Sequence, residues 1–333
     1  MTERNIVVIG CSVGGVEALQ TIVAGLPENF PAAIFVVLHI SPQTHSLLPE
    51  ILNRAGKLSA KHPIQGEQIK RGRIYIAPPD HHLIIEDGRI VLSRGPKENR
   101  HRPSVDPLFR SAARAYGRQV IGIILTGSLD DGTVGLQAVK KVGGVTIVQD
   151  PEDAFCPDMP RSAMDHVKTD YVVPASQIPA LLAELVPERV AAGNGAGKNS
   201  QITKEIKLAE ADMAAIEDDG RPGTPSQFAC PECGGVLWQM DHTDMLRFRC
   251  RVGHAYTAQS LDVEQTVAVE GALWAAIRGL EESASLAKQM AEKLGGRKSH
   301  NVAKRFEESA REKMEQAAVL RNLVVEGKEV AAD

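Results

Sequence analysis

Several kinds of feature are scarce or absent in this chain, and each absence excludes a class of protein. The formal net charge is only −4, so there is no strongly basic surface of the kind that nucleic-acid binding requires. No apolar run approaches the roughly 20 residues that a membrane-spanning helix needs. The N-terminus lacks a signal-peptide pattern, which predicts a cytoplasmic location. We therefore expect no nucleic-acid partner and no membrane insertion.

A disulfide framework is also not expected. Among the five cysteines, Cys11 and Cys156 stand alone in the sequence, and the other three cluster after residue 229. A chain that depends on disulfides has cysteines throughout a small domain, and it folds in an oxidising compartment. Free thiols or metal ligands are therefore the expected states of these residues.

The late cysteines have the spacing of a metal site. Cys230 and Cys233 form a C-x-x-C pair, and Cys250 is followed by His254 after a segment that predicts a hairpin. Three thiolates and one imidazole can bind Zn²⁺ tetrahedrally, and a closed set of four ligands is typical of a structural site. We predict a small zinc-knuckle module here, with His242 as a rival fourth ligand.

The first 19 residues contain a second pattern with chemical meaning. Residues 5–19, NIVVIGCSVGGVEAL, predict a strand, a tight turn and a helix. Ser12 lies at the turn between Gly10 and Gly14, which gives the G-x-S-x-G pattern of a nucleophile elbow. Glycines relieve crowding there, and the serine hydroxyl projects over the end of the sheet. Backbone N–H groups such as that of Val13 could bind the oxyanion of a tetrahedral intermediate.

The pattern of strands and helices up to residue 185 predicts an α/β fold with a doubly wound, mostly parallel sheet. Fully apolar runs predict buried strands, and amphipathic runs between them predict helices. The predicted strands are residues 6–9, 32–38, 120–125, 145–149 and 171–173, and the predicted helices include 46–53, 105–116 and 134–142. Short alternating runs at 73–77, 82–86 and 89–93, with a turn at 87–88, predict an inserted antiparallel hairpin ribbon.

Three residues that could form a catalytic triad directly follow predicted strands. Ser12 follows the first strand, His39 follows the second, and Asp131 lies in the loop after the strand VIGIIL. The carboxyl ends of parallel strands share one edge of a sheet, so these side chains can meet. His39 would accept the proton of Ser12, and Asp131 would orient the imidazole. Such a triad needs no cofactor for catalysis.

Alternative interpretations remain for these residues. A strand, a glycine-rich turn and a helix also bind dinucleotides, but Ser12 replaces the second glycine of G-x-G-x-x-G, and His39 stands where a ribose-binding acid is expected. Cys11 is a rival nucleophile, although the central residue of an elbow is the exposed one.

His81 and His82 at the start of the predicted hairpin, and the basic cluster of Arg100, His101 and Arg102, are expected in solvated loops. As the alternative, the basic cluster would face an acidic receptor surface.

The chain is expected to contain four regions. Residues 1–187 would form the catalytic domain, and 188–227 a glycine-rich linker with a short charged helix at about 204–217. Residues 228–257 would form the zinc-knuckle module. Two long helical patterns in residues 258–327 predict an antiparallel helical hairpin.

Six blocks of sequence, in order, carry a resemblance to a known family. The chain resembles the catalytic domain of chemotaxis protein-glutamate methylesterases over about residues 5–185. The blocks are VVIGCSVGGVEAL, VVLHISPQTHSLLPEIL, IYIAPPDHHLII, RHRPSVDPLFRSAA, GIILTGSLDDGTVGL and QDPEDAFCPDMPRSA. The resemblance implies that the family's serine, histidine and aspartate correspond to Ser12, His39 and Asp131. Family members usually have methionine and glycine at the positions of Ser128 and Leu129.

The resemblance also implies a substrate and a reaction. Members of this family hydrolyse γ-glutamyl methyl esters on the signalling helices of membrane-bound chemoreceptors and release methanol, and some members deamidate receptor glutamines. Well-known members have an N-terminal receiver domain that restrains the active site. Because this sequence begins at the first catalytic strand, we expect activity that is either unregulated by phosphorylation in cis or controlled through the C-terminal region or a partner. The alternative from another class is a non-catalytic signalling scaffold that binds partners through its C-terminal helices.

Overall fold

The computed structural model describes residues 2–43, 45–86, 88–190, 200–209, 223–240, 245–294 and 300–330. It divides into two compact units, Met1–Leu261 and Asp262–Asp333. In the described part of the chain, no helix is both long enough and apolar enough to span a bilayer. The predicted glycine-rich segment 191–199, part of the predicted charged helix (210–217) and His242 lie outside the described residues.

The first unit is built on a sheet of seven parallel strands, which confirms the predicted fold class. From one edge to the other the strands are β10 (Tyr171–Val173), β9 (Val145–Gln149), β8 (Val120–Ile124), β2 (Ile6–Cys11), β3 (Ala33–Leu38), β5 (Arg73–Ile76) and β4 (Ser59–Lys61). The central strands are apolar throughout because helices cover both faces of the sheet. The strand order places the ends of β8, β2 and β3 side by side.

Each face of the sheet has its own hydrophobic core. One face packs against α1 (Gly15–Ala24), α2 (Leu48–Ala55) and α6 (Ile178–Leu185). The other face packs against α3 (Val105–Tyr116), α4 (Thr133–Lys141), α5 (Asp158–His166) and a hairpin of β6 (His82–Glu86) and β7 (Arg89–Ser93). A short antiparallel pair, β1 (Thr2–Glu3) with β11 (Arg189–Val190), joins the two ends of this region.

The hairpin is confirmed as an antiparallel pair, but residues 73–77 do not belong to it. That part of the prediction is wrong, because β5 pairs in parallel with β3 and β4 in the main sheet. Ile74 and Tyr75 are both fully buried although they point to opposite faces, as expected of a strand covered on both sides. His82 is also fully buried, contrary to the expectation of a solvated loop. Its ring hydrogen-bonds the Pro96 carbonyl and the N–H of Ser104.

The rest of the chain comprises a helix, a small sheet and two long helices. Helix α7 (Ser200–Ala209) is followed by a four-stranded antiparallel sheet that contains the late cysteines. Its strands are β12 (Thr224–Ala229), β13 (Val236–Gln239), β14 (Arg247–Cys250) and β15 (Ala255–Thr257). This sheet lies in the first compact unit with the parallel sheet.

The second unit consists of helices. It contains α8 (Ala258–Leu294) beyond its first turn and α9 (His300–Val330). Ile277 of α8 packs with Ala317 and Val324 of α9. The two predicted helices are therefore present, and the predicted domain boundaries stay predictions.

Candidate active site

Ser12 lies in a sharp turn between β2 and α1. The turn depends on Gly14, which has φ 75° and precedes the first residue of the helix. The N–H of Ser12 donates to the Thr126 carbonyl at 2.9 Å, which joins the turn to the loop after β8. Among the described residues, the N–H groups of Val13 and Gly14 have no hydrogen-bond acceptor. The turn therefore presents a serine with two free donors beside it.

His39 and Asp131 form a buried hydrogen-bonded pair next to this turn. His39 follows β3, whose register places Leu38 beside Cys11, and its N–H donates to the Cys11 carbonyl at 3.2 Å. Its Nε2 lies 2.7 Å from Asp131 Oδ2, and the two side chains are 5% and 2% exposed. The other ring nitrogen, Nδ1, is buried and has no partner among the described residues. Nδ1 is therefore the ring nitrogen that Asp131 leaves free.

Several donors hold the Asp131 carboxylate. Its Oδ1 accepts from Asn99 Nδ2 at 2.9 Å and Ser104 Oγ at 2.8 Å, and its Oδ2 accepts from the Val105 N–H at 2.7 Å. The last donor belongs to the first residue of α3, where the helix dipole favours negative charge. Burial raises the pKa of Asp131, but His39 and these donors outweigh burial and hold the pKa well below its usual range. The group is thus fixed as an anion.

A second buried carboxylate, Asp106, lies beside Asp131. Asn99 Nδ2 also donates to Asp106 Oδ2 at 3.0 Å, so one amide group bridges the two acids. Asp106 Oδ1 accepts from the Gly135 N–H at 2.6 Å. Burial and the charge of Asp131 raise the pKa of Asp106 to about 7. Negative charge is therefore concentrated on Asp131, which faces His39.

His101 stacks on His39, which corrects the expectation that it lies in a solvated loop. The ring centroids are 3.7 Å apart and the ring planes differ by 9°. Burial and the proximity of His39 lower the pKa of His101 to about 3, with Arg100 and Lys97 acting in the same direction and Asp131 opposing them. A neutral ring thus covers one face of the imidazole and restricts its rotation.

This stacking predicts a pH-dependent stability. Because the folded state lowers the pKa of His101 from about 6.5 to about 3, its contribution is present above pH 6.5 and is lost as the pH falls. Between pH 7 and pH 5 we expect the wild type to lose about 2 kcal/mol more unfolding free energy than His101→Phe, which keeps a stacking ring but cannot be protonated. Urea unfolding of both proteins at the two pH values measures this difference. Equal losses would contradict it.

The structure opposes the alternative nucleophile. Cys11 is fully buried, its Sγ points to the Val37 carbonyl at 3.6 Å, and burial raises the pKa of the thiol. A thiolate is therefore unfavourable at this position.

Comparison with known proteins shows the family to which this chain belongs. The family model described as CheB methylesterase matches residues 7–182, which is more than half of the chain. The chain belongs to the CheB methylesterase family. The matched region contains Ser12, His39 and Asp131 and ends before the late cysteines.

Relatives and a solved CheB structure cover the same region. A protein of Leptospira interrogans named "Putative protein-glutamate methylesterase/protein-glutamine glutaminase" is 40% identical over 180 residues, which is 54% of this chain and 93% of that protein. A relative from Thermotoga maritima, named without the word "putative", is 42% identical over 186 residues, covering 55% of this chain and 54% of the relative. The crystal structure of the Thermotoga maritima CheB methylesterase catalytic domain matches with a TM-score of 0.53 and 41% identity. The match covers 56% of this chain and all of that chain.

The loop after β8 contains both positions, Ser128 and Leu129, at which the chain departs from the pattern that the resemblance implies. Leu129 stands where members usually have glycine, and it has φ 64°, in the left-handed region that glycine favours. A leucine there carries strain of about 1–2 kcal/mol. The loop nevertheless places Asp131 against His39, so this departure does not disrupt the pair.

The predicted metal ligands also come together. Cys230, Cys233, Cys250 and His254 form one cluster, in which all ligand atoms lie within 4.8 Å of one another. The rival ligand, His242, lies outside the described residues.

Three residues that hold His39 and Asp131 in place were not predicted from the sequence. Asn99 and His101 lie in an irregular segment, and nothing in the sequence marks it as close to the triad. Ser104 immediately precedes α3, a position typical of a helix cap, but it makes no capping bond and donates to Asp131 instead. Its position before a helix predicts a helix cap, so the sequence marks Ser104 but does not indicate its contact with Asp131.

Proposed function

We propose that this CheB methylesterase hydrolyses γ-glutamyl methyl esters with Ser12 as the nucleophile, His39 as the general base and Asp131 as the orienting anion. The observation that carries the proposal is the buried His39–Asp131 pair beside the serine turn, with one ring nitrogen left without a partner. Its support from comparison is that relatives over this region are named protein-glutamate methylesterase/protein-glutamine glutaminase.

In the first half of the reaction, Ser12 Oγ attacks the ester carbonyl while His39 Nδ1 accepts the hydroxyl proton. The carbonyl oxygen becomes an oxyanion, and the N–H groups of Val13 and Gly14 are the donors available to stabilise it. Asp131 stabilises the protonated imidazole through Nε2. When the intermediate collapses, His39 returns the proton to the leaving methoxy group, so methanol departs and the glutamyl acyl group stays on Ser12.

In the second half, water attacks the acyl-enzyme while His39 again accepts a proton. The products are a glutamate side chain and free Ser12, so the overall change is one ester and one water to one carboxylic acid and one methanol. A glutamine side chain can follow the same path with ammonia as the leaving group. Receptor glutamine deamidation is therefore part of the proposal.

The proposed partners are methylated receptors of the chemotaxis type. The protein would act on them from the cytoplasm, at the membrane surface. None of the five cysteines forms a disulfide, which supports a reducing compartment.

Phe155 is the residue best placed to contact such a partner. Phe155 is 80% exposed. It lies close to Gly14, since a Cβ atom added to Gly14 would be 2.6 Å from the Cβ of Phe155. An exposed aromatic ring beside the proposed nucleophile is a favourable anchor for a protein substrate. We expect Phe155→Ala to raise KM for methylated receptor about 5- to 30-fold, the effect of 1–2 kcal/mol of contact, with little change in kcat.

The matched control is Tyr171→Ala, since Tyr171 is an exposed aromatic on the edge strand β10. Its KM should stay at the wild-type value. A fall in kcat without a change in KM for Phe155→Ala would show that the ring supports the turn instead of the substrate.

A direct test of the proposed function follows the products on a methylated receptor fragment. With the wild type we expect methanol release, and each modified side chain should lose the mass of one methylene group by mass spectrometry. A fragment with glutamine at the same sites would release ammonia if the chain is also a deamidase. If neither product forms while the fragment still binds, the chain is a scaffold and the proposal is wrong.

A further inference from the structure

The Cys/His cluster has the dimensions of a tetrahedral zinc site. Cys233 Sγ lies 3.7 Å from Cys250 Sγ, and His254 Nδ1 lies 3.7 Å from Cys230 Sγ and 3.5 Å from Cys250 Sγ. A tetrahedral Zn²⁺ with usual bond lengths would separate two sulfurs by about 3.8 Å and a sulfur from a nitrogen by about 3.6 Å. A disulfide would need two sulfurs about 2.05 Å apart. The spacing therefore fits a shared metal and not a covalent bridge.

Two similar turns supply these ligands. In the first, the Cys230 N–H donates to the Gly235 carbonyl at 2.7 Å and the Gly234 N–H donates back to the Cys230 carbonyl at 2.8 Å. In the second, the Cys250 N–H donates to the His254 carbonyl at 2.9 Å and the Gly253 N–H donates back to Cys250 at 3.0 Å. Both glycines have positive φ, 71° for Gly234 and 111° for Gly253. Each turn thus points its two ligands inward.

The second of these turns leads directly into contacts with the active site. Ala255, next to the ligand His254, accepts from the Asn99 N–H at 2.8 Å and donates to the Lys97 carbonyl at 3.2 Å. Asn99 in turn donates through its side chain to Asp131. Only one residue therefore separates a metal ligand from the backbone of a residue that holds the proposed catalytic carboxylate.

Thr257, at the end of β15, makes a second connection. Its N–H donates to Asn99 Oδ1 at 3.2 Å, and its Oγ1 donates to Asp130 Oδ1 at 2.9 Å. The first contact fixes the orientation of the Asn99 amide, so that the Nδ2 group faces Asp131. The second fixes the residue that precedes Asp131 in the chain.

Asn99 and Arg100 both have a left-handed backbone, with φ 47° and φ 74°. Asparagine adopts this region more readily than most residues, whereas at Arg100 it carries strain. Such a conformation persists only where surrounding contacts hold it. Here the β15 strand provides them.

A buried ion cluster fixes the same interface. Glu98 accepts from Arg110 of α3 at 2.7 Å and from Arg249 of β14 at 3.1 Å, and all three side chains are at most 2% exposed. Glu205 of α7 lies 3.3 Å from Arg247 of β14. Because uncompensated buried charge is strongly unfavourable, displacement of β14 would remove Arg249 and Arg247 and leave the carboxylates of Glu98 and Glu205 to share Arg110. Order in the Cys/His sheet is therefore linked to order in the 97–106 segment.

We propose that Cys230, Cys233, Cys250 and His254 bind one Zn²⁺, and that this metal holds β15 in the position where Asn99 and Thr257 orient the Asp130–Asp131 loop. Zinc is a structural ion in this scheme and does not contact the substrate. Its part in activity rests on the proposed esterase function, whereas its binding and its effect on the 97–106 segment do not.

Metal analysis of the full-length chain tests the binding. We expect one zinc per chain for the wild type, for Ser12→Ala and for Cys156→Ser, a matched cysteine substitution outside the cluster. The double variant with Cys230→Ser and Cys233→Ser should hold none. Loss of zinc in Cys156→Ser, or no zinc in a wild type incubated with Zn²⁺ under reducing conditions, would overturn the proposal.

The link to the active site is tested by removing the metal with a chelator and adding Zn²⁺ back. Hydrogen exchange of residues 97–106, which include the Asn99 and Val105 N–H groups, should accelerate without zinc and recover with it. The rate at which a fluorophosphonate labels Ser12 should fall about 10- to 100-fold and recover, as expected when a residue that orients a functional group is lost. Unchanged exchange and unchanged labelling in the zinc-free protein would refute the link.

A pair of variants separates positioning from folding. Thr257→Val removes the hydroxyl at nearly constant volume, and with it the bond to Asp130 and the bond that the hydroxyl accepts from the Ser260 N–H at 3.1 Å. Loss of the bond to Asp130 should lower the labelling rate about 10-fold, with zinc content unchanged. Thr257→Ser keeps the hydroxyl and should restore the rate. Equal rates for Val and Ser would contradict a role for this hydroxyl. If hydrogen exchange and Ser12 labelling both depend on zinc but no methanol is released, the link between the metal and the site is supported and only the esterase function is rejected.

Discussion

Replacing Ser12 with alanine is expected to lower kcat for methyl-ester hydrolysis by about 10⁶-fold, as loss of the nucleophile does in triad enzymes. The adjacent Cys11 cannot take its place, because it is buried and its thiol has a raised pKa. Binding of the receptor should not change, since alanine fits the turn and leaves the Ser12 N–H bond to Thr126 in place. Single-turnover methanol release and a separate binding measurement distinguish the two effects.

Ser128→Ala is the matched control for this variant. Ser128 lies in the neighbouring loop, and its hydroxyl contacts Cys156 Sγ at 3.4 Å, a weak interaction. We expect a loss of about 10-fold or less, the effect of one hydrogen bond. If Ser128→Ala abolished activity while Ser12→Ala retained it, the assignment of the nucleophile would be wrong.

Asp131→Asn is expected to lower kcat about 10⁴-fold, as the equivalent change does in the best-studied serine triad. Both carboxylate oxygens accept hydrogen bonds from donors, with Asn99 and Ser104 at Oδ1 and Val105 and His39 at Oδ2. An amide NH₂ in either orientation must therefore face at least two donors. The imidazole also loses the negative charge that stabilises its protonated form, so the barrier rises in both halves of the reaction.

The neighbouring acid provides the control for this second variant. Asp130→Asn keeps an oxygen that can accept from Thr257 Oγ1, so we expect a loss of about 10-fold or less. Circular dichroism and thermal unfolding of both variants would separate a catalytic loss from unfolding. A larger loss for Asp130→Asn than for Asp131→Asn would reverse the assignment of the two acids.

Much of the fold could be predicted because its signals are local. The strands β2, β3 and β8 are continuous apolar runs, which is what burial on both faces of a parallel sheet requires, and β9 is apolar at three of its five residues. The strand β5 was assigned to the wrong sheet. Among its residues 73–76, the only change from a charged to an apolar side chain is at the first step, from Arg73 to Ile74. Its pairing with β3 and β4 is set by tertiary contacts, which no short stretch of sequence contains.

The candidate site could be predicted in part for a similar reason. Ser12, His39 and Asp131 follow apolar strands, and the shared edge of a parallel sheet brings such residues together. The groups that hold them could not be predicted in this way. Asn99 and His101 lie in an irregular segment with positive φ at residues 99 and 100, and irregular backbone has no periodic pattern to read.

The spacing of the cysteines and histidine predicted a compact ligand set, but not the surface against which it packs. That surface depends on Arg249 meeting Glu98 and on Thr257 meeting Asp130, residues that are 151 and 127 positions apart. Charged residues in a sequence are usually solvated, so Arg247 and Arg249 gave no sign that they are almost fully buried.

The order of the chain has a consequence for biosynthesis. All residues of the parallel sheet have been synthesised by residue 173, but Thr257 and Arg249 follow roughly 75 to 85 residues later, which at about 5–20 residues per second takes several seconds. During that interval a nascent chain already contains Ser12, His39 and Asp131 but not the partners of Asn99 and Glu98. A ribosome-bound chain is therefore expected to reach full esterase competence only after the Cys/His sheet has been synthesised and has docked.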